Sequence, residues 1–188
     1  MPSLDKPSRI KEAAISLFNE KGVQATSVND IVAKAHIAKG TFYLYYPNKT
    51  TLVSQILIQF YGELLNELMK EAYLKDDSIS DVRILFINRL IHYYRTHPKV
   101  LELLQKNVAS IFSSAQNADH IFSYVEHFDD YIKSFQKTNQ TLAQAKIRFV
   151  MMLETIGIIC FHAIVYQQPA KIEVVEKELL SMVYAMYL

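Results

Sequence analysis

Apolar residues recur at helical spacing along almost the whole chain. Ile10, Ala13, Ala14, Leu17 and Phe18 fall at i, i+3, i+4, i+7 and i+8, the stripe of an amphipathic helix. Gly22 ends that helix, with Lys21 in its last turn, where a cation complements the helix dipole. Ser27 and Asp30 have capping-box spacing, with Asp in place of the usual Glu or Gln, and open a short second helix whose Ile31, Val32 and Ala35 turn inward. A turn at His36–Ile37 leads to a third helix over residues 38–46, stopped by Pro47. On it Ala38, Phe42 and Tyr46 share one face, at i, i+4 and i+8, and are expected to pack inward. Asn48 caps a fourth helix, apolar at Leu52, Ile56, Phe60 and Leu64, that reaches Tyr73.

The polar stretch KDDSISD, residues 75–81, marks a boundary. Beyond it, helices are expected at 80–96, broken by Pro98, and at 99–112. A third, at 119–137, follows the polar SSAQNAD. The two most apolar, at 142–166 and 171–187, are separated by Pro169. No strand-like alternation and no internal repeat interrupts the series. The pattern therefore predicts an all-α fold of about nine helices, with a three-helix N-terminal unit over 1–50 and a helical bundle over 51–188.

Composition supports this and narrows the function. The 188 residues are 51% hydrophobic and 21% charged, with four glycines and five prolines, which suits packed helices with a real core. The single cysteine, Cys160, excludes an internal disulfide and makes a reducing compartment the default. The opening residues lack the apolar core of a secretion signal, so a cytoplasmic protein is expected. Residues 149–165 are strongly apolar but are interrupted by Glu154, Thr155 and His162. They fall short of the roughly twenty residues of a bilayer span, and a helix buried in protein, not a membrane segment, is expected. The net charge is only +1, but it is unevenly placed. Residues 1–50 hold seven basic side chains against four acidic ones, and the remainder thirteen against fifteen. The N-terminal end is the one suited to a polyanion.

Three short helices, the second and third joined by a tight turn, describe a helix-turn-helix unit, whose third helix enters the DNA major groove. The segment HIAKGTFYLYYPNK sets four aromatics beside two lysines. Tyr43 and Tyr45 are two residues apart on a short helix, so at least one must be exposed. Gly40 lets a backbone approach closely. Lys39, Thr41 and Leu44 are the candidate readers of bases, while Tyr43, Tyr45 and Lys49 are expected to position the unit on phosphates. Thr26 and Ser27, at the start of the second helix, offer supporting hydroxyls. The histidine spacings (His92 and His97, His120 and His127) do not place two ligands on one helical turn. No nucleophile elbow, phosphate loop or carboxylate pair is present, so no metal, no cofactor and no enzymatic activity are expected.

Residues 22–52, GVQATSVNDIVAKAHIAKGTFYLYYPNKTTL, resemble the DNA-binding segment of the TetR family of transcriptional regulators. The resemblance rests on Gly22, Thr26, Ser27 and Ile31, then Lys39, Gly40, Tyr43, Tyr45, Tyr46, Asn48, Lys49 and Leu52, at the family's spacing. Two positions depart from it. His36 stands where glycine is usual, and Ala38 stands where a serine or threonine caps the recognition helix, a loss of about 1 kcal/mol. The resemblance implies a homodimeric repressor on a palindromic operator, with half-sites roughly 34–36 Å apart. It implies release by a small apolar or aromatic effector held between the helices of residues 80–166 and the end of the fourth helix. Tyr61, Phe86, Tyr93, Phe112, Tyr124, Phe128, Phe149, Met152 and Tyr166 are the candidate lining. It implies, too, that the helices at 142–166 and 171–187 pair with their copies in the dimer; burial of the pair within one chain is the alternative. Two rivals remain: a DNA-binding protein that recruits a partner and needs no effector, and a ligand-binding bundle with a vestigial N-terminal motif.

Overall fold

Asp5 opens the first helix by accepting a hydrogen bond from the Ser8 backbone N–H (3.0 Å), with Pro7 in the first turn where no amide is missed. The protein is described here from a computed structural model covering residues 5–73, 79–112, 114–136 and 138–187. Helix α1 (Lys6–Lys21) closes at Gly22, whose φ of 84° lies where an L side chain is strained. Helix α2 (Val28–Lys34) starts with a complete Ser27–Asp30 capping box, and α3 (Lys39–Tyr45) follows the His36–Ile37 turn. Helix α4 (Lys49–Tyr73) begins where Asn48 Oδ1 accepts from the Thr51 N–H at 2.9 Å. The second and fourth helices start where the sequence placed them, and the third starts one residue later, at Lys39.

The chain divides into two compact units, Met1–Leu57 and Ile58–Leu188. The first has its own core, built from Ile10, Ala13, Ala14 and Leu17 of α1, Ile31, Val32 and Ala35 of α2 and its end, and Phe42, Tyr46 and Leu52. Phe42 is fully buried and sets its ring 5.7 Å from Tyr46. Ala38, expected on that inward face, is exposed instead. It is the uncapped residue ahead of α3, and its extended backbone takes it off the helical face.

In the second unit, α5 (Ile79–Thr96), α6 (Pro98–Ile111), α7 (Ala115–Phe122), α8 (Phe128–Phe135), α9 (Leu142–Phe161) and α10 (Ile172–Tyr187) follow in order. Ten α-helices and no strand are thus found among the described residues. A π-helical stretch, His162–Tyr166, extends α9 to the expected end. Helix α9 is the centre of this unit, packed against α5, α6, α8 and α10 with Phe149, Met152, Leu153, Ile156 and Cys160 buried.

One expected helix, 119–137, is two. Helix α7 begins four residues earlier than expected, capped by Ser114, and ends at Phe122. The break is held by α4. A Cβ on Gly62 would lie 2.6 Å from the Ile121 carbonyl oxygen, so glycine lets the end of α7 dock, and Asn66 Oδ1 accepts from the Glu126 N–H at 2.9 Å. His127, at φ 55°, then redirects the chain into α8. Lys137, like residues 75–78 of the expected boundary, lies outside the described residues.

Candidate nucleic-acid interface

Helix α3 buries Phe42 and turns the rest of its surface outward. Tyr43 is 48% exposed, Leu44 81% and Tyr45 42%. Burying Phe42 anchors the helix, since deleting such a ring costs about 3–5 kcal/mol, and this leaves its neighbours no inward option. Lys39 and Gly40 are exposed at the start of the helix and Thr41 is half-buried. Nothing lies within 4 Å of where a Gly40 Cβ would be. The Lys39 ammonium has no intramolecular partner among the described residues. A cation, an open stretch of backbone, two phenols and an apolar tip therefore share one accessible helix. These are the groups that duplex DNA accepts through phosphates, base edges and thymine methyls.

Three of the nine candidate contacts are placed differently. Thr26, expected to offer its hydroxyl to phosphate, is only 1% exposed, and that hydroxyl donates to the Gly22 carbonyl at 2.8 Å. It ties the end of α1 to the start of α2. Ser27 is exposed, but its hydroxyl proton goes to Asp30 Oδ2 (2.8 Å) and its oxygen accepts from the Asp30 N–H, so no donor remains for a phosphate. Lys49, expected as a phosphate clamp, is half-buried with Nζ donating to the carbonyls of Val23 (2.9 Å) and Thr26 (2.8 Å). It braces the α1–α2 loop against the start of α4. The Ser27 backbone N–H, followed by the Lys21 ammonium at 2.9 Å, holds the Asp30 carboxyl well below the usual carboxylate range. Lys34 is paired with Glu20.

Sequence reasoning missed Arg9. Its Nη2 donates to the carbonyls of Ala35 (2.6 Å) and His36 (3.1 Å), reaching from α1 to the turn between α2 and α3. Its partners are backbone oxygens twenty-six and twenty-seven residues away, which no spacing in the sequence announces.

In the second unit the nine candidate lining residues do not form one group. Phe86, Phe128 and Phe149 are buried in a single aromatic cluster with Phe122 and Tyr131, with ring separations from 4.1 to 6.0 Å. Tyr61 belongs to another, with Phe112 edge-on at 6.0 Å and its hydroxyl 3.3 Å from that of Tyr94. Burial pushes the Tyr61 phenol up to about 12 and Tyr94 well above its ordinary value. Met152 is fully buried, and Tyr93 and Tyr124 are half-buried, stacked on His97 and His120. Tyr166 is 59% exposed in the π-helical stretch and lines nothing inside. Tyr94, fully buried, was missed because its tandem with Tyr93 gives no sign of which ring turns inward. Burial also pushes the Cys160 thiol up to about 12, so it is unreactive as a thiolate. Among the described residues, no three His, Cys, Asp or Glu side chains gather as a metal ion would require.

Helix α9 with its π-helical extension, Leu142–Tyr166, is long and apolar enough to cross a membrane by length and composition alone. Its buried face instead packs on four neighbouring helices. Ile147, Met151 and Ile158 stay exposed at i, i+4 and i+11, and Val174 and Met182 stay exposed on α10.

Comparison with known proteins bears on both units. The profile of bacterial regulatory proteins, tetR family, matches residues 10–56, all of α1 to α3 apart from the first turn. The chain is 30% identical over 104 residues to the uncharacterised HTH-type transcriptional regulator YvdT of Bacillus subtilis, covering 55% of this chain and 53% of that protein. It is 27% identical over 131 residues to the HTH-type transcriptional repressor DhaR of a Mycobacterium species, covering 67% and 61%. The chain thus spans less than two thirds of either relative. In three dimensions it is similar to Thermus thermophilus FadR, solved in complex with lauroyl-CoA. That likeness has a TM-score of 0.67 over 97% of this chain and 95% of that one, at 18% identity. At that identity the likeness is one of fold.

Proposed function

We propose that the chain, whose residues 10–56 match the tetR family of bacterial regulatory proteins, is a cytoplasmic, homodimeric repressor of that family. It reads a palindromic operator through α3 and leaves that operator when a small apolar or aromatic effector binds its second unit. The observation that carries this reading is the contiguous exposure of Tyr43, Leu44 and Tyr45 beside Lys39 and the open Gly40. A folded domain gains nothing by displaying such groups to water alone. Lys39, expected among the base readers, is assigned here to a phosphate at the edge of the groove. Thr41 and Leu44 meet base edges and thymine methyls, and the Tyr43 and Tyr45 hydroxyls donate to phosphate oxygens. Lys49 and Thr26 serve this surface indirectly, by fixing the loop behind it.

Support for an effector comes from the second unit. The buried Tyr61–Tyr94 hydroxyl pair is the kind of sparse polar anchor that orients an apolar ligand. Thermus thermophilus FadR takes lauroyl-CoA, whose acyl chain is of the proposed apolar class. The effector acts by binding more tightly to the conformation whose two reading heads no longer fit the half-sites.

The test is selection from a pool of duplexes with a randomised centre. The protein should enrich an inverted repeat with half-sites about 10–10.5 base pairs, or a multiple, apart. Lauroyl-CoA is the first effector probe and should raise the Kd for the enriched duplex. Enrichment of no sequence contradicts the reading.

A further inference from the structure

The segment that presents α3 carries two local weaknesses. His36 holds φ 51°, a left-handed conformation that costs an L residue energy, and Ala38 leaves the first amides of α3 with no side-chain cap. The same few residues are met from outside by a single cation. Arg9 Nη2 donates to both the Ala35 carbonyl (2.6 Å), at the C-cap of α2, and the His36 carbonyl (3.1 Å). A guanidinium there neutralises the negative end of the α2 dipole and joins two successive carbonyls of the strained turn to α1.

We propose that Arg9 is a positioning residue for the recognition helix: it compensates for the left-handed His36 and the uncapped Ala38 by pinning the turn between α2 and α3, and it does not itself contact DNA. Arg9 is only partly buried and sits in the wall of an open cleft with Glu12, Lys34 and His36, so replacing it leaves no cavity in the core. The first unit has its own cluster of buried apolar residues, to which Arg9 does not belong, so it is expected to stay folded without the brace. What changes is the definition of the turn. The proposal rests on the reading of α3 as the DNA-contacting helix, but the brace can be tested without DNA.

The experiment uses the full chain with Arg9→Met, Arg9→Lys, and Arg9→Met combined with His36→Gly. In the free protein, hydrogen exchange of the Ile37 and Thr41 amides, which bond to Val32 and Ala38, should accelerate about tenfold in Arg9→Met, the size expected for losing charge-assisted bonds. Exchange over residues 10–17 should stay unchanged. Arg9→Lys, which keeps a donor, should fall between, and glycine at 36 should restore most of the protection by removing the strain. On the duplex enriched by the wild-type protein, Arg9→Met should lose discrimination against a scrambled duplex with the salt dependence of binding unchanged. A salt slope reduced by about one would place Arg9 on a phosphate and overturn the proposal. So would unchanged exchange at Ile37 and Thr41, or exchange raised equally over 10–17. If the wild-type protein enriches no duplex, the DNA reading fails while the exchange data still decide the brace.

Discussion

Gly40 is the residue whose presence the fold alone does not explain. It is the second residue of α3, nothing lies within 4 Å of its Cβ position, and its φ is ordinary for a helix. Glycine in a helix costs about 0.5–1 kcal/mol relative to alanine, so folding by itself would favour alanine. A partner that approaches the backbone closely would favour glycine. Gly40→Ala should therefore raise the unfolding free energy by up to about 1 kcal/mol in denaturant titration. It should also weaken binding to the enriched duplex roughly tenfold, the scale of one lost groove contact. A variant that is more stable and binds equally well would show that close approach is not what the glycine serves. At this scale the sequence was legible where packing depends on spacing alone. Tyr43 and Tyr45 could not both turn inward, and both are exposed. It was illegible where a polar side chain spends its donors on backbone. Thr26, Ser27 and Lys49 look like phosphate ligands in a string of letters. Only the folded loop supplies the carbonyls of Gly22, Val23 and Thr26, and the Asp30 carboxylate, that claim them.

The helices themselves were legible because their ends carry signals that act locally. Gly22 at positive φ, the Ser27–Asp30 box, Asn48 ahead of α4 and the Thr141–Gln144 box ahead of α9 all work within four residues of chain. The break between α7 and α8 has no such signal. It depends on Gly62 and Asn66 of α4, about sixty residues away, which accept the end of α7 and the Glu126 amide. A continuous apolar periodicity through 119–137 is compatible with one helix or two until that docking surface exists. The candidate effector lining divides into separate clusters for a related reason. Aromatic spacing marks the buried side of a helix but not which buried cluster a ring joins, and so Phe86, Phe128 and Phe149 fell together while Tyr61 paired with Tyr94. Tyr166 lies where α9 widens into its π-helical end, and there the helical register that placed it inward no longer holds.

For the whole molecule, the proposed dimer rests on the outward apolar stripe of Ile147, Met151 and Ile158 on α9, with Val174 and Met182 on α10. Met151 is 51% exposed, so Met151→Glu should leave the unfolding free energy of the monomer itself within about 0.5 kcal/mol. It should nevertheless shift sedimentation equilibrium from dimer to monomer; a dimer of unchanged strength would remove this face from the interface. A two-headed repressor in turn requires that each head meet DNA through α3, and that is the central claim. It is tested most directly by the slope of log Kd against log salt concentration on the enriched duplex, for Lys39→Ala and Lys49→Met side by side. Each cation that neutralises a phosphate contributes about 0.9 to the slope on B-form DNA. The account predicts a slope lower by about one for Lys39→Ala, whose ammonium faces outward. It predicts an unchanged slope for Lys49→Met, whose ammonium is committed to Val23 and Thr26. The reverse pattern, with Lys39→Ala leaving the slope unaltered, would contradict it.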